Sequence, residues 1–133
     1  MSGETTRGWS AWAVTGTALF LVGVGTALLF AGQEVVGALF GRPPVEPLAS
    51  LLGGALIGFG AMNWIARRSI LGGIYGRAVV VGNQAHFIVG AIVLLKHGVM
   101  AGGSLGFWVL AGFYLVGAGL FTYLLLGPGL RRQ

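Results

Sequence analysis

The chain contains no cysteine and no aspartate. The first absence removes disulfides, thiolate nucleophiles, thiolate zinc sites and iron–sulfur clusters. The second leaves three acids, Glu4, Glu34 and Glu46, all outside the cores of the apolar runs. With no carboxylate inside a span, a carboxylate-driven proton antiporter is disfavoured. Charge of either sign is scarce, at 8% of 133 residues, about a third of the share in a soluble domain. Catalytic signatures are missing too. There is no Ser/His/Asp arrangement, no His pair at i, i+4, and no glycine-rich loop ending in Lys-Ser/Thr.

What is present is apolar: 56% of the residues are hydrophobic. A water-soluble fold of this size could not hide so much apolar surface, because small domains leave a large part of their surface exposed. One membrane-embedded domain, residues 1–133, is therefore expected. Four apolar runs cover residues 12–32, 48–66, 78–95 and 105–126, each about the 20 residues a helix needs to cross the hydrocarbon core. They are apolar on every face, unlike the alternating strands of a membrane β-barrel. The fold class is thus all-α, with four transmembrane helices in an up-down-up-down bundle, since short connections make sequential helices antiparallel neighbours. Three of the four prolines fall in Gly41-Arg42-Pro43-Pro44-Val45-Glu46-Pro47, which cannot continue a helix. Residues 33–40 read either as a helical extension or as an interfacial turn.

The net charge of +5 comes from single or paired basic residues at the ends of apolar runs. That pattern anchors helices at headgroups, and no basic patch with interleaved aromatics suggests nucleic acid. Six of the eight basic residues, Arg7, Arg67, Arg68, Arg77, Arg131 and Arg132, fall on one side of the expected topology. The positive-inside rule then makes both termini cytoplasmic, in a bacterial inner membrane. Arg67, Arg68 and Arg77 flank one connection, where they could contact anionic or lipid headgroups. A cleaved signal peptide is disfavoured, because the first run is too long for one.

The 26 glycines recur at helical spacing inside the spans. Gly54 and Gly58 form a small-xxx-small pair, Gly53 and Gly60 occupy another side, and Gly82 and Gly90 flank His86 at four residues each way. Such residues let helix backbones approach closely, within one bundle or between copies of the chain. A homo-oligomer, or a place in a larger membrane complex, is one expectation.

His86 is the sharpest feature. It lies about 13 Å along a helix from Arg77, near mid-bilayer if residues 78–95 span it, where an ionisable group usually has a role. Asn83 shares its helix face, and Asn63 on the second span is a plausible hydrogen-bond neighbour of either. Asn63, Asn83 and His86 are thus the candidate polar pocket between the second and third helices. Three readings remain open. The chain could be a non-catalytic complex subunit or a small-ligand or lipid-binding protein. It could be an oligomeric transporter or channel using His86 as a proton or substrate contact. It could be a redox membrane protein, with His86 holding haem or hydrogen-bonding a quinone. His97, roughly 16 Å further along the helix, cannot join His86 in bis-histidine ligation within one chain. No metal site and no catalytic residue are indicated.

The stretch Gly58-Phe59-Gly60-Ala61-Met62-Asn63-Trp64-Ile65-Ala66, with Gly72-Gly73-Ile74-Tyr75-Gly76-Arg77 and Gly82-Asn83 through His86-Phe87, resembles small bacterial four-span membrane proteins of uncharacterised activity. In size and span count the chain is also similar to DoxX-like proteins, with no DoxX motif matched. Both resemblances imply the four-span architecture and no particular chemistry.

Overall fold

The computed structural model describes residues 2–44, 46–68 and 73–127, without the side chains of residues 2–7, 46 and 73. Four helices account for nearly all of it: α1 Ser2–Phe40, α2 Glu46–Ala66, α3 Gly73–Ala101 and α4 Leu105–Leu126. Each is long and apolar enough to cross a membrane. Large side chains such as Phe30, Ile65, Ile74, Val99 and Leu105 lie at least 80% exposed on the outside. A continuous apolar exterior of this kind suits hydrocarbon and not water. The expectations that rest on the Arg7 side chain, Arg131 and Arg132 lie outside the described residues.

Helix ends differ from hydropathy boundaries where charge and backbone chemistry part company. The third helix extends from Gly73 to Ala101, beyond the expected 78–95, because Arg77, Lys96 and His97 are polar without being helix breakers. It stops at Gly102, whose φ of +72° favours glycine. Gly41, at φ +69°, ends α1 in the same way. In each case the glycine N–H bonds back four residues, Gly41 to the Gly37 carbonyl at 2.9 Å and Gly102 to the Gly98 carbonyl at 3.0 Å. Ser104 caps α4, accepting from the Phe107 N–H at 3.2 Å.

Residues 33–40 are helical, which decides between the two sequence readings. Gly8–Phe40 would measure about 50 Å if straight, against a hydrocarbon core of about 30 Å. The helix breaks at Ala31, with φ −136° and ψ 39°. Residues 32–40 then lean across the bundle end. Leu39 reaches Gly106, Phe40 meets the rings of His97 and Phe107, and the Ser104 hydroxyl donates to the Ala38 carbonyl at 3.2 Å. That carbonyl lies in the last turn of α1, where no intrahelical donor remains for it.

Buried residues recur at seven-residue spacing on each helix: Val14, Leu21 and Leu28 on α1, Ala49, Leu56 and Asn63 on α2, Val80, Phe87 and Leu94 on α3, Gly117 and Leu124 on α4. A seven-residue repeat is the seam pattern of left-handed helix packing. The close partners are sequence neighbours. α1 lies tightly on α2 and α3 on α4, while contact between these two hairpins is sparse. Gly25 meets Gly53 and Ile57, and Gly60 meets Ala18 and Val22, so numbers rise on α1 as they fall on α2. On the other hairpin Gly90 admits the Tyr114 ring and Gly117 admits Phe87.

Gly54 and Gly58 do not make the close approach expected of a packing pair within the bundle. Nothing in the described chain lies within 4 Å of a Cβ added at either, and both face outward. The seam with α1 is formed instead through Gly53 and Gly60, one residue before the first and two after the second. Helical rotation of about 100° per residue accounts for the change of face.

Candidate functional site

Helix α3 carries the polar groups. Arg77 and Lys96 bracket about 28 Å of it, close to the thickness of a bilayer core, and His86 lies midway between them. Successive polar residues on α3 address different neighbours. Asn83 turns to α2, where its amide and that of Asn63 bond reciprocally: Asn63 Nδ2 donates to Asn83 Oδ1 at 2.8 Å, and Asn83 Nδ2 donates to Asn63 Oδ1 at 2.7 Å. Asn83 Nδ2 also donates to the Val79 carbonyl at 2.8 Å. Gln84 turns to α4 and donates to the Thr122 hydroxyl at 3.2 Å.

His86 faces neither asparagine as a hydrogen-bond partner. Its Nε2 lies 3.1 Å from the Tyr114 hydroxyl on α4. Phe59 of α2 stacks on the imidazole at 5.1 Å between ring centroids, and Phe87 meets it edge-on at 5.2 Å. The notch expected beside His86 therefore exists but is partly filled by the protein itself. Gly90 is where the Tyr114 ring enters, and Gly82 lies 3.9 Å from the Phe59 ring, measured from an added Cβ.

The structure thus separates the three expected pocket residues. Asn63 and Asn83 are fully buried and bonded to each other in both directions, which makes them a clamp between α2 and α3 set apart from the cavity lining. His86 stands above the clamp and lines a cavity of about 840 Å³ between the two hairpins. The cavity walls are Val, Leu, Ala, Phe and Gly, and among the lining residues only His86 and Tyr114 carry polar side-chain atoms. Residues 35, 36, 39 and 40 close its far end, and the exposed Leu52, Val89 and Val93 mark an opening between α2 and α3. A recess of about 890 Å³ between α1 and α4 is as large, rimmed by Trp9, Trp12 and Tyr123. It lies on the outer surface, and its Thr17 hydroxyl is already committed to the Ala13 carbonyl at 3.0 Å, so the interior cavity is the better candidate.

Tyr114 completes the candidate site with His86, although a lone tyrosine inside an apolar run does not draw attention by itself. A signal existed. Folding α3 and α4 about the short Gly102–Gly103 turn sets position 90 opposite position 114, a glycine facing an aromatic ring. The arginines expected at the headgroups differ in their surroundings. Arg67 folds back on its own helix, its guanidinium 4.0 Å from the Trp64 ring centroid and donating to the Trp64 carbonyl. Arg68 and Arg77 are exposed. Among the described residues no group of three or more His, Cys, Asp or Glu side chains could hold a metal.

Fold and site together define a multi-pass helical membrane protein with an apolar cavity between two hairpins and one hydrogen-bonding pair in its wall. No protein-family model, curated protein or solved structure matches the chain.

Proposed function

We propose that this chain binds a lipophilic small molecule or lipid inside the bundle and is not itself a catalyst. The reading places it in a bacterial inner membrane, with up-down-up-down topology and both termini cytoplasmic, alone, as a homo-oligomer or as a subunit of a larger complex. One observation carries the proposal: a cavity of about 840 Å³ with apolar walls and a single polar pair. Its size falls within the 300–1,000 Å³ of ordinary ligand sites, and such sites pair apolar walls with a few placed polar groups. The opening between α2 and α3 would admit a ligand from the bilayer. Neither rival has comparable support. A transporter for ions needs a polar path, and the cavity lining offers only His86 and Tyr114. With Nε2 engaged by Tyr114, His86 is better arranged for hydrogen bonding than for ligating haem iron.

The test is native mass spectrometry of protein extracted gently with its lipids, beside an Ala27→Phe variant that puts a ring into the cavity. Wild type should retain an apolar molecule that organic extraction releases. The variant should retain at least tenfold less while keeping its helical circular dichroism. Equal retention by both proteins, or none by wild type, would refute the reading.

A further inference from the structure

We propose that the ligand is an apolar compound carrying one hydrogen-bond-accepting oxygen, a ketone being the simplest case, and that this oxygen takes the one spare hydrogen of the His86–Tyr114 pair. This rests on the cavity-binding reading above and names the chemistry of its occupant.

The hydrogens of the pair can be counted. A neutral imidazole has one N–H and one bare nitrogen, and a phenol has one O–H. The pair therefore holds two hydrogens, and its 3.1 Å contact uses one. If Tyr114 donates to Nε2, the Nδ1 hydrogen remains. If Nε2 donates to the Tyr114 oxygen, the phenolic hydrogen remains. Either tautomer leaves one donor over. No other lining side chain can accept it, because the remaining walls are Val, Leu, Ala, Phe and Gly.

Each class of ligand head changes that count differently. A hydrocarbon leaves the donor without a partner. An alcohol oxygen satisfies it as well, and the alcohol's own hydrogen can go to a remaining lone pair of the Tyr114 oxygen. A carboxylate brings a charge into a wall that has no cation to meet it, at a prohibitive cost in an apolar surrounding. A carbonyl accepts the spare hydrogen and adds none. A quinone meets the same count at one of its two oxygens. The aromatic lining of Phe20, Phe59 and Phe113 suits a flat conjugated carbonyl in particular.

The experiment compares 4-fluorobenzophenone with 4-fluorodiphenylmethane, which share a frame and differ by C=O against CH₂. Binding to wild type in lipid nanodiscs is read by fluorine NMR, and empty nanodiscs supply the correction for bilayer partition. The expected preference for the ketone is about tenfold, the ratio that follows from one neutral hydrogen bond made in a dry site. In isotope-edited infrared spectra the carbonyl band should move to lower frequency on binding. Both signs should vanish in the His86→Leu/Tyr114→Phe double variant, which retains the hydrocarbon probe. A ratio near one in wild type overturns the accepting-oxygen assignment and leaves cavity binding standing. If neither probe binds, the cavity-binding reading falls with it.

Discussion

The reciprocal amide pair gives the most quantitative prediction. Asn63 and Asn83 are both fully buried and exchange two hydrogen bonds of 2.8 and 2.7 Å. Asn63→Ala strands the Asn83 carbonyl, but Asn83 Nδ2 keeps its bond to the Val79 carbonyl. Asn83→Ala strands both polar atoms of Asn63, so it should be the more damaging of the two. Inter-helix hydrogen bonds in membranes average about 0.6 kcal/mol and reach about 1.7, so two bonds should couple by about 1–3 kcal/mol. A buried group left without a partner costs more than the net worth of a bond, and removing both partners restores part of it. The double variant should therefore lose about 1–3 kcal/mol less than the sum of the singles. Reversible unfolding in mixed micelles, followed by circular dichroism, measures all four corners of the cycle. Additivity within about 0.3 kcal/mol would show that the amide pair contributes no coupling, and an Asn63→Ala cost above that of Asn83→Ala would refute the geometry.

Two further perturbations address the seams of the bundle. A Cβ at Gly25 would stand 2.6 Å from the Gly53 carbonyl oxygen, a backbone atom that cannot turn aside. Gly25→Ala should cost about 1–3 kcal/mol of stability, whereas Gly54→Ala and Gly58→Ala, facing outward, should be neutral or gain up to about 1 kcal/mol of helix propensity. Thermal unfolding ranks the three, and equal losses would contradict the assigned faces. Ser104 both caps α4 and donates to the Ala38 carbonyl at 3.2 Å. Ser104→Ala removes both bonds and should cost about 1–2 kcal/mol of stability. Unchanged thermal unfolding of that variant would contradict both contacts.

Much of the architecture was legible because bilayer thickness turns hydropathy into helix number. Arg77, Lys96 and His97 were read as boundaries, since a hydropathy window registers charge, but a helix ends where its backbone does, at Gly102. The inward faces were harder to see. In a chain apolar on all sides, amphipathicity cannot say which glycine meets a neighbour, and Gly54 with Gly58 looked as suitable as Gly53 with Gly60. Asn63 and Asn83 could be paired from sequence because buried amides need partners. Their role could not, because reciprocal saturation is a matter of orientation. Tyr114 went unrecognised because a hydroxyl in a span most often bonds its own helix.

The hairpin arrangement bears on biogenesis. Each hairpin has its tightest contacts between helices adjacent in sequence, with few residues between Phe40 and Glu46 and between Ala101 and Leu105. The first hairpin is complete in sequence by Ala66, before α3 begins at Gly73. It can therefore enter the bilayer and settle while the second is still being synthesised. The cavity lies along the seam where the two hairpins meet, and contact across that seam is sparse. Parting the hairpins there breaks less packing than parting the helices within either one.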